Sequence, residues 1–445
     1  MDSASPTKEK HPRGLYLLFG VEMWERFSYY GMRAFLVLFL TSTLGGFGWS
    51  KAEASHLYGW YTGLVYLTPL LGGYLADRIL GTHRALVIGG ITIAAGHFCL
   101  ALPTHSTFFL GLALIVLGTG FFKSNISTMV GQLYREGDRR RDSAFTIFYM
   151  GINTGAFFGP IVCGYLAKDP RFGWHYGFGV AGVGMILGLT TYLSLRKRYL
   201  PGIGEKPAAA LVREASKSLL TTDDKRGIAV IAILAFFNIF FWMAFEQAGS
   251  SMTFFAEERT HREFLGMPFL APYFQSINPI GIVLFAPVFA TLWTVLAKRG
   301  WNPSTPVKFA MGLFLVAAGF VVMVVAAGLS EGGGRVSAWW LIAAYGLHTC
   351  GELCLSPVGL SMVTKLAPKA FASLMMGIWF CAFFVSDLFA GLLAGSVEKI
   401  EKGQVFHLLG GQADFFLIFV VSTTVAGLLL LALSPKIKRL IAGRA

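Results

Sequence analysis

The sequence predicts an all-α polytopic membrane protein of two six-helix bundles, twelve transmembrane helices in all, with no extra helix pair between the bundles. Three observations predict it. The chain is 55% hydrophobic and 14% charged, where soluble domains carry about 25% charged residues. Long apolar runs alternate with short polar joints, and helices are the way such runs satisfy their backbone inside lipid. The longest polar stretch, 196–226, falls after the sixth run and divides the chain in two.

The spans are taken in order. The first, 14–44, exceeds the roughly 20 apolar residues needed to cross a bilayer, yet it contains Glu22, Glu25, Arg26 and Arg33. A charge at mid-membrane costs at least about 2.5–3.5 kcal/mol on insertion scales. Four of them must pair or line a water-filled cavity. At 100° per residue, Glu22, Glu25, Arg26, Tyr29, Tyr30 and Arg33 fall within about 140°, and Glu22 and Arg26 are one turn apart. Further spans are read at 54–79, 84–103, 107–134, 143–167 and 174–195. After the linker they continue at 227–256, 267–297, 306–329, 336–366, 371–396 and 412–434. Pro69, Pro160, Pro279, Pro287 and Pro357 are the expected kink sites. The 53 glycines suit close helix packing in lipid.

This layout gives a tail at 1–13, bundles at 14–195 and 227–434, a linker at 196–226 and a second tail at 435–445. With both termini on the cytoplasmic side of an inner, plasma-type membrane, 26 of the 37 Lys and Arg fall in cytoplasmic segments and eight in outer ones. The net charge of +13 therefore reflects membrane topology rather than nucleic-acid binding. The polar start of the chain lacks the apolar core and cleavage site of a signal peptide. Five cysteines lie inside apolar runs, so no disulfide framework is implied. Cys350 and Cys354 near His348 and Glu352 read as apolar filler rather than a metal site. A 6+6 layout with a basic central linker points to a secondary transporter with its site between the halves.

Other intramembrane polar residues are few. Lys123 and Asn153 lie in spans four and five. Glu246 and Gln247 lie in span seven, Gln275 and Asn278 in span eight, Glu352 in span ten and Asp387 in span eleven. Cations thus sit in the first half, and Glu246, Glu352 and Asp387 in the second. A zwitterion fits between such walls, its carboxylate to Arg33 and Lys123 and its ammonium to Glu352. Tyr29, Tyr30, Tyr66, Trp293 and Trp379 can supply polar tips and apolar walls.

Gly73-Tyr-Leu-Ala-Asp77-Arg78-Ile-Leu-Gly81-Thr-His-Arg84 resembles the loop signature of the major facilitator superfamily, with one residue inserted. Asp77 and Arg78 at a helix end can make and break contacts as bundles rock. Glu22-x-x-Glu25-Arg26-Phe27-x-Tyr29-Tyr30-Gly31 resembles the first-helix signature of the proton-dependent oligopeptide transporters. Phe148-Tyr149-x-x-Ile152-Asn153-x-Gly155, Phe245-Glu246-Gln247 and Gly351-Glu352-Leu353-x-Leu355-Ser356-Pro357 are similar to that family's later motifs, and the match covers nearly the whole chain.

The resemblance implies the major facilitator fold and a proton-coupled symporter of di- and tripeptides. It is neither an enzyme nor a carrier of any cofactor beyond protons, and it is expected to be monomeric. Glu22, Glu25, Arg26, Lys123 and Glu246 would couple protons. Arg33 and Glu246 would form a gate, with Asp77, Arg78 and Asp387 as further gate or structural groups. Arg33, Tyr29, Tyr30, Tyr66, Lys123, Asn153, Asn278, Trp293, Glu352 and Trp379 would contact peptide. Three departures stand out: Gly59 where animal relatives carry His, with His56 at the outer helix end; no additional helix pair in the linker; and Asp387 where Asn is expected. A small-anion carrier is the rival within transporters, and the acid at Glu352 disfavours it. An intramembrane enzyme lacks any His-Glu-x-x-His motif, and paired charges on opposite bundles suit alternating access better than a receptor or channel.

Overall fold

Each apolar run folds as a helix in the computed structural model, which describes residues 10–135, 137–138, 140–207, 221–264, 266–368 and 372–441. The first half comprises α1 (Arg13–Thr41), α2 (Lys51–Leu75), α3 (Thr82–Leu100), α4 (His105–Gln132), α5 (Arg140–Lys168) and α6 (Trp174–Tyr199). The second comprises α7 (Thr222–Phe245), α8 (Ile277–Lys298), α9 (Thr305–Leu329), α10 (Ala338–Leu366), α11 (Ala372–Gly395) and α12 (Gly411–Ile441). The only strands among the described residues are two-residue pairs, Thr260–His261 with Val336–Ser337 and Glu263–Phe264 with Met267–Pro268. The fold is all-α.

Nine of the helical segments among the described residues are long and apolar enough to cross a membrane by length and composition alone. The three long helices that fall short are α1, α2 and α10. The first carries five charged residues and the last His348, Glu352 and Lys365. Glu22, Glu25, Arg26, Arg33, His348 and Glu352 are buried against other helices. Large apolar side chains such as Leu71, Leu117, Phe158, Leu284, Val321 and Leu429 instead point outward, a perimeter that suits acyl chains and not water.

The middle of the expected linker, 208–220, and the outer parts of both tails, 1–9 and 442–445, lie outside the described residues. The final helix runs on through Pro435 to Ile441. Strong local signals begin two helices. Ser50 and Glu53 form a reciprocal capping box at α2, as do Thr221 and Asp224 at α7, each satisfying amides left open by the first turn.

The residue inserted in the Gly73–Arg84 segment has a visible consequence. Ala76–Leu80 form a π turn, closed by the Gly81 amide donating to the Ala76 carbonyl at 2.8 Å. An i→i+5 bond accommodates one extra residue without ending the helix. Gly81 then leaves at φ +75°, a conformation that glycine adopts without penalty.

Within the first half α1 packs on α5 and α6, and α3 on α4; within the second α9 packs on α10 and α12. The halves meet chiefly through α2 against α11 and α5 against α8. At the α2–α11 seam a Cβ on Gly59 would lie 2.7 Å from the Asp387 carbonyl and 2.9 Å from the Gly391 Cα. Glycine is what lets the backbones approach so closely. A histidine at Gly59 has no room, which gives the departure noted above a steric reason. His56, one turn earlier, reaches Gly395 instead.

Candidate functional site

The start of α1 lies beside the ends of α4 and α6: Gly14 faces Leu133 and Leu200, and His11 bonds Tyr134 at 2.8 Å. This is the terminal face. From it a vestibule of about 1260 Å³ opens between α4, α5, α10 and α11, past Gln132, Arg141, Thr364 and Phe380 to Lys123. It continues into a cavity of about 250 Å³ lined by Glu22, Arg26, Lys123, Glu352 and Trp379. The innermost chamber, about 150 Å³, is lined by Arg33, Asn153, Glu246, Asn278 and Glu352.

The opposite face is shut. Lys51 on α2 meets Glu258, and Lys168 on α5 meets Glu257, both at 2.7 Å across the two halves. Deeper in, Arg33 Nη2 lies 3.0 Å from Glu246 Oε2. Helix α7 breaks at this point. Its last residue is Phe245, Glu246–Gly249 form a 3₁₀ turn, and a short helix resumes at Ser251. Gln247 in that turn holds the partner helix, donating to the Ala390 carbonyl at 3.1 Å.

The stripe on α1 forms a cluster. Arg26 Nε donates to Glu22 Oε1 at 2.8 Å and lies 2.7 Å from Glu25 Oε2. All three are almost wholly buried, and neither Glu25 oxygen has a hydrogen-bond partner. Lys123 makes no ion pair among the described residues; its ammonium stands 3.9 Å from the centre of the Tyr66 ring, within cation–π range. Tyr66 stacks on Phe383 of the second half at 5.1 Å. On the facing wall Asn278 donates to Glu352 Oε2 at 2.8 Å. Among the described residues Glu352 forms no ion pair.

Most of the expected contact residues therefore meet in one space: Arg33, Tyr30, Tyr66, Lys123, Asn153, Asn278, Glu352 and Trp379 all line the chambers. Three expectations need correction. Tyr29 is buried behind the wall, stacked 6.4 Å from Tyr61, because its angle on α1 turns it toward α2. Trp293 lines none of these chambers; it lies 15 residues along α8 from Asn278, about 22 Å at 1.5 Å per residue. There the Lys308 ammonium stands 4.5 Å from its ring. Asp77 and Arg78 are exposed, Arg78 lying over Tyr74 at 4.9 Å, and neither touches the other half. Asp387, expected as a gate or structural group, lies outside the chambers in the α2–α11 seam between the halves. Among the described residues no His, Cys, Asp and Glu cluster is arranged to hold a metal.

Several lining residues escaped the sequence reading. Tyr149 lines both inner chambers and stands inside the Phe148–Gly155 motif, so a signal existed. Asn238 is fully buried at the cavity edge with both amide atoms unpartnered. Trp242 and Tyr345 line the second-half wall, and nothing in their local sequence distinguishes them from packing aromatics.

Comparisons with known proteins agree with this geometry. The family model described as the POT family matches residues 83–201 and 203–408. The peptide transporter YePEPT of Yersinia enterocolitica subsp. palearctica is 39% identical, covering 93% of each chain. A di-/tripeptide transporter of Lactococcus lactis subsp. lactis is 35% identical over 96% of each. Among solved structures, a mutant of peptide transporter POT in complex with alafosfalin superimposes with a TM-score of 0.88. It is 36% identical, with 98% of this chain and 97% of that one covered.

Proposed function

The chain belongs to the POT family, and from that premise we propose a proton-coupled symporter that imports di- and tripeptides by alternating access. It is a transporter and not an enzyme, and protons are the coupling ion with no cofactor required. The bodies that rock are residues 14–195 and 227–434, joined by 196–226. We place both termini in the cytoplasm of a plasma-type membrane, following the excess of Lys and Arg on that side, and take the protein as a monomer. The vestibule then opens inward.

The observation that carries the substrate assignment is Glu352. A buried carboxylate without a counter-ion is costly, and this one has only Asn278 beside it. A peptide ammonium supplies the missing charge. Lys123 and Arg33 on the first half receive the peptide carboxylate, and Tyr30, Tyr66, Asn153 and Trp379 enclose the backbone and side chains.

Proton coupling follows from the pairs. Protonating Glu22 or Glu25 removes a partner of Arg26. Protonating Glu246 frees Arg33 to receive the peptide carboxylate. One charge crossing 100 mV is worth about 2.3 kcal/mol, enough to drive accumulation. The test is uptake of labelled dialanine into liposomes under an inward proton gradient. Uptake abolished by an uncoupler and competed by unlabelled di- and tripeptides is the expected result. Uptake indifferent to the uncoupler, or competed by nitrate and not by peptides, overturns the reading.

A further inference from the structure

The α2–α11 seam buries a carboxylate that the scheme above does not use. Asp387 is 2% exposed, and its Oδ2 has no hydrogen-bond partner. It lies against Gly59 and Gly63, where an added Cβ would fall 2.7 Å from its carbonyl and 3.5 Å from its Cβ respectively. It lines none of the chambers described above.

Titratable groups face it from four helices: Arg33 and Tyr29 on α1, Tyr58 and Tyr66 on α2, Lys123 on α4 and Glu246 on α7. Arg33 is paired with Glu246, the Lys123 ammonium stands over the Tyr66 ring, and among the described residues neither cation forms an ion pair with Asp387. A fully buried, unpaired carboxylate neutralises itself by binding a proton.

We propose that Asp387 is a second proton-binding site, separate from the Glu22–Glu25–Arg26 cluster, and that its proton latches the outer face shut along the α2–α11 seam. The proposal rests on the transport reading, in which that seam parts to admit peptide. When it parts, Asp387 meets water and loses its proton outward; when it closes, the proton is taken up again from the same side. The closed form holds one proton more than the open form. Raising pH above the titration range of the open-form acid therefore shifts the closed-to-open ratio by about tenfold per pH unit.

The test places spin labels at the outer ends of α2 and α11 in the full-length protein in lipid nanodiscs, and reads their separation against pH. In the parent protein the open population should grow as pH rises. Asp387→Asn should hold the seam closed across the range. A parent seam that ignores pH overturns the latch without recourse to any variant. So does an Asp387→Asn protein that opens with pH as the parent does. Parallel liposome uptake separates the two claims: a pH-gated seam without peptide uptake fails the transport reading alone, whereas proton-driven uptake with a pH-blind seam fails the latch alone.

Discussion

Arg33 and Glu246 meet 3.0 Å apart between the halves, 213 residues apart in sequence and both almost wholly buried. The guanidinium is caged by three rings, Tyr29, Tyr30 and Tyr58, at 5.4–5.9 Å. The pair closes the innermost chamber on the side away from the vestibule. It joins one body to the other where α7 breaks, so the broken helix is where separation of the bodies is resisted.

Removing one partner of a buried pair costs about 3–5 kcal/mol, because the other charge stays buried. Arg33→Ala and Glu246→Ala are each expected to lower peptide uptake by more than tenfold. The charge-reversed double variant, Arg33→Glu with Glu246→Arg, should recover part of it. Liposome uptake by the four proteins decides this. A double variant no better than either single would mean that the pair does not act as a unit.

Glu22→Gln and Glu25→Gln keep the shape of the Arg26 cluster and remove its titratable acid. Gradient-driven uptake should be lost, while exchange of labelled for unlabelled peptide without a gradient should persist. Equal loss of both activities would assign the cluster to structure rather than to coupling.

Glu352→Gln retains a hydrogen-bond acceptor for Asn278 but not the negative charge. Peptides with a free amino terminus should bind at least tenfold more weakly, and N-acetylated peptides should change little. Competition against labelled dialanine measures both. Matching losses for the two classes would contradict the ammonium contact.

Gly59→Ala drives a methyl group against the Asp387 carbonyl, 2.7 Å from the new Cβ. Overpacking of this kind costs about 1–3 kcal/mol, so the thermal midpoint in detergent should fall. Gly137→Ala, in an exposed loop with nothing within 4 Å, strains only its own backbone and should fall by less.

How much of this was legible follows from distance in sequence. The Glu22–Arg26 bond is set by one helical turn, and its i,i+4 spacing announced it. The pairing of Arg33 with Glu246 depends on the packing of two helices 213 residues apart, and only the resemblance supplied it. The α1 stripe was read as one face, but the cavity spans less of the helix than the stripe does. Tyr30 reaches the chamber and Tyr29 turns to Tyr61. Trp293 was placed on the right helix at the wrong depth, since composition says nothing about how far along a span the cavity lies. The α2–α11 seam left no local trace at all. Gly59, Gly63 and Gly391 look like any membrane glycines until the two helices are seen in contact.

Peptide and proton crossing together is the central claim, and internal pH tests it most directly. Liposomes holding the protein and a trapped pH-sensitive dye should acidify inside when dialanine is added outside at a negative internal potential, and should do so in proportion to peptide taken up. Peptide entry with no accompanying acidification would contradict the account.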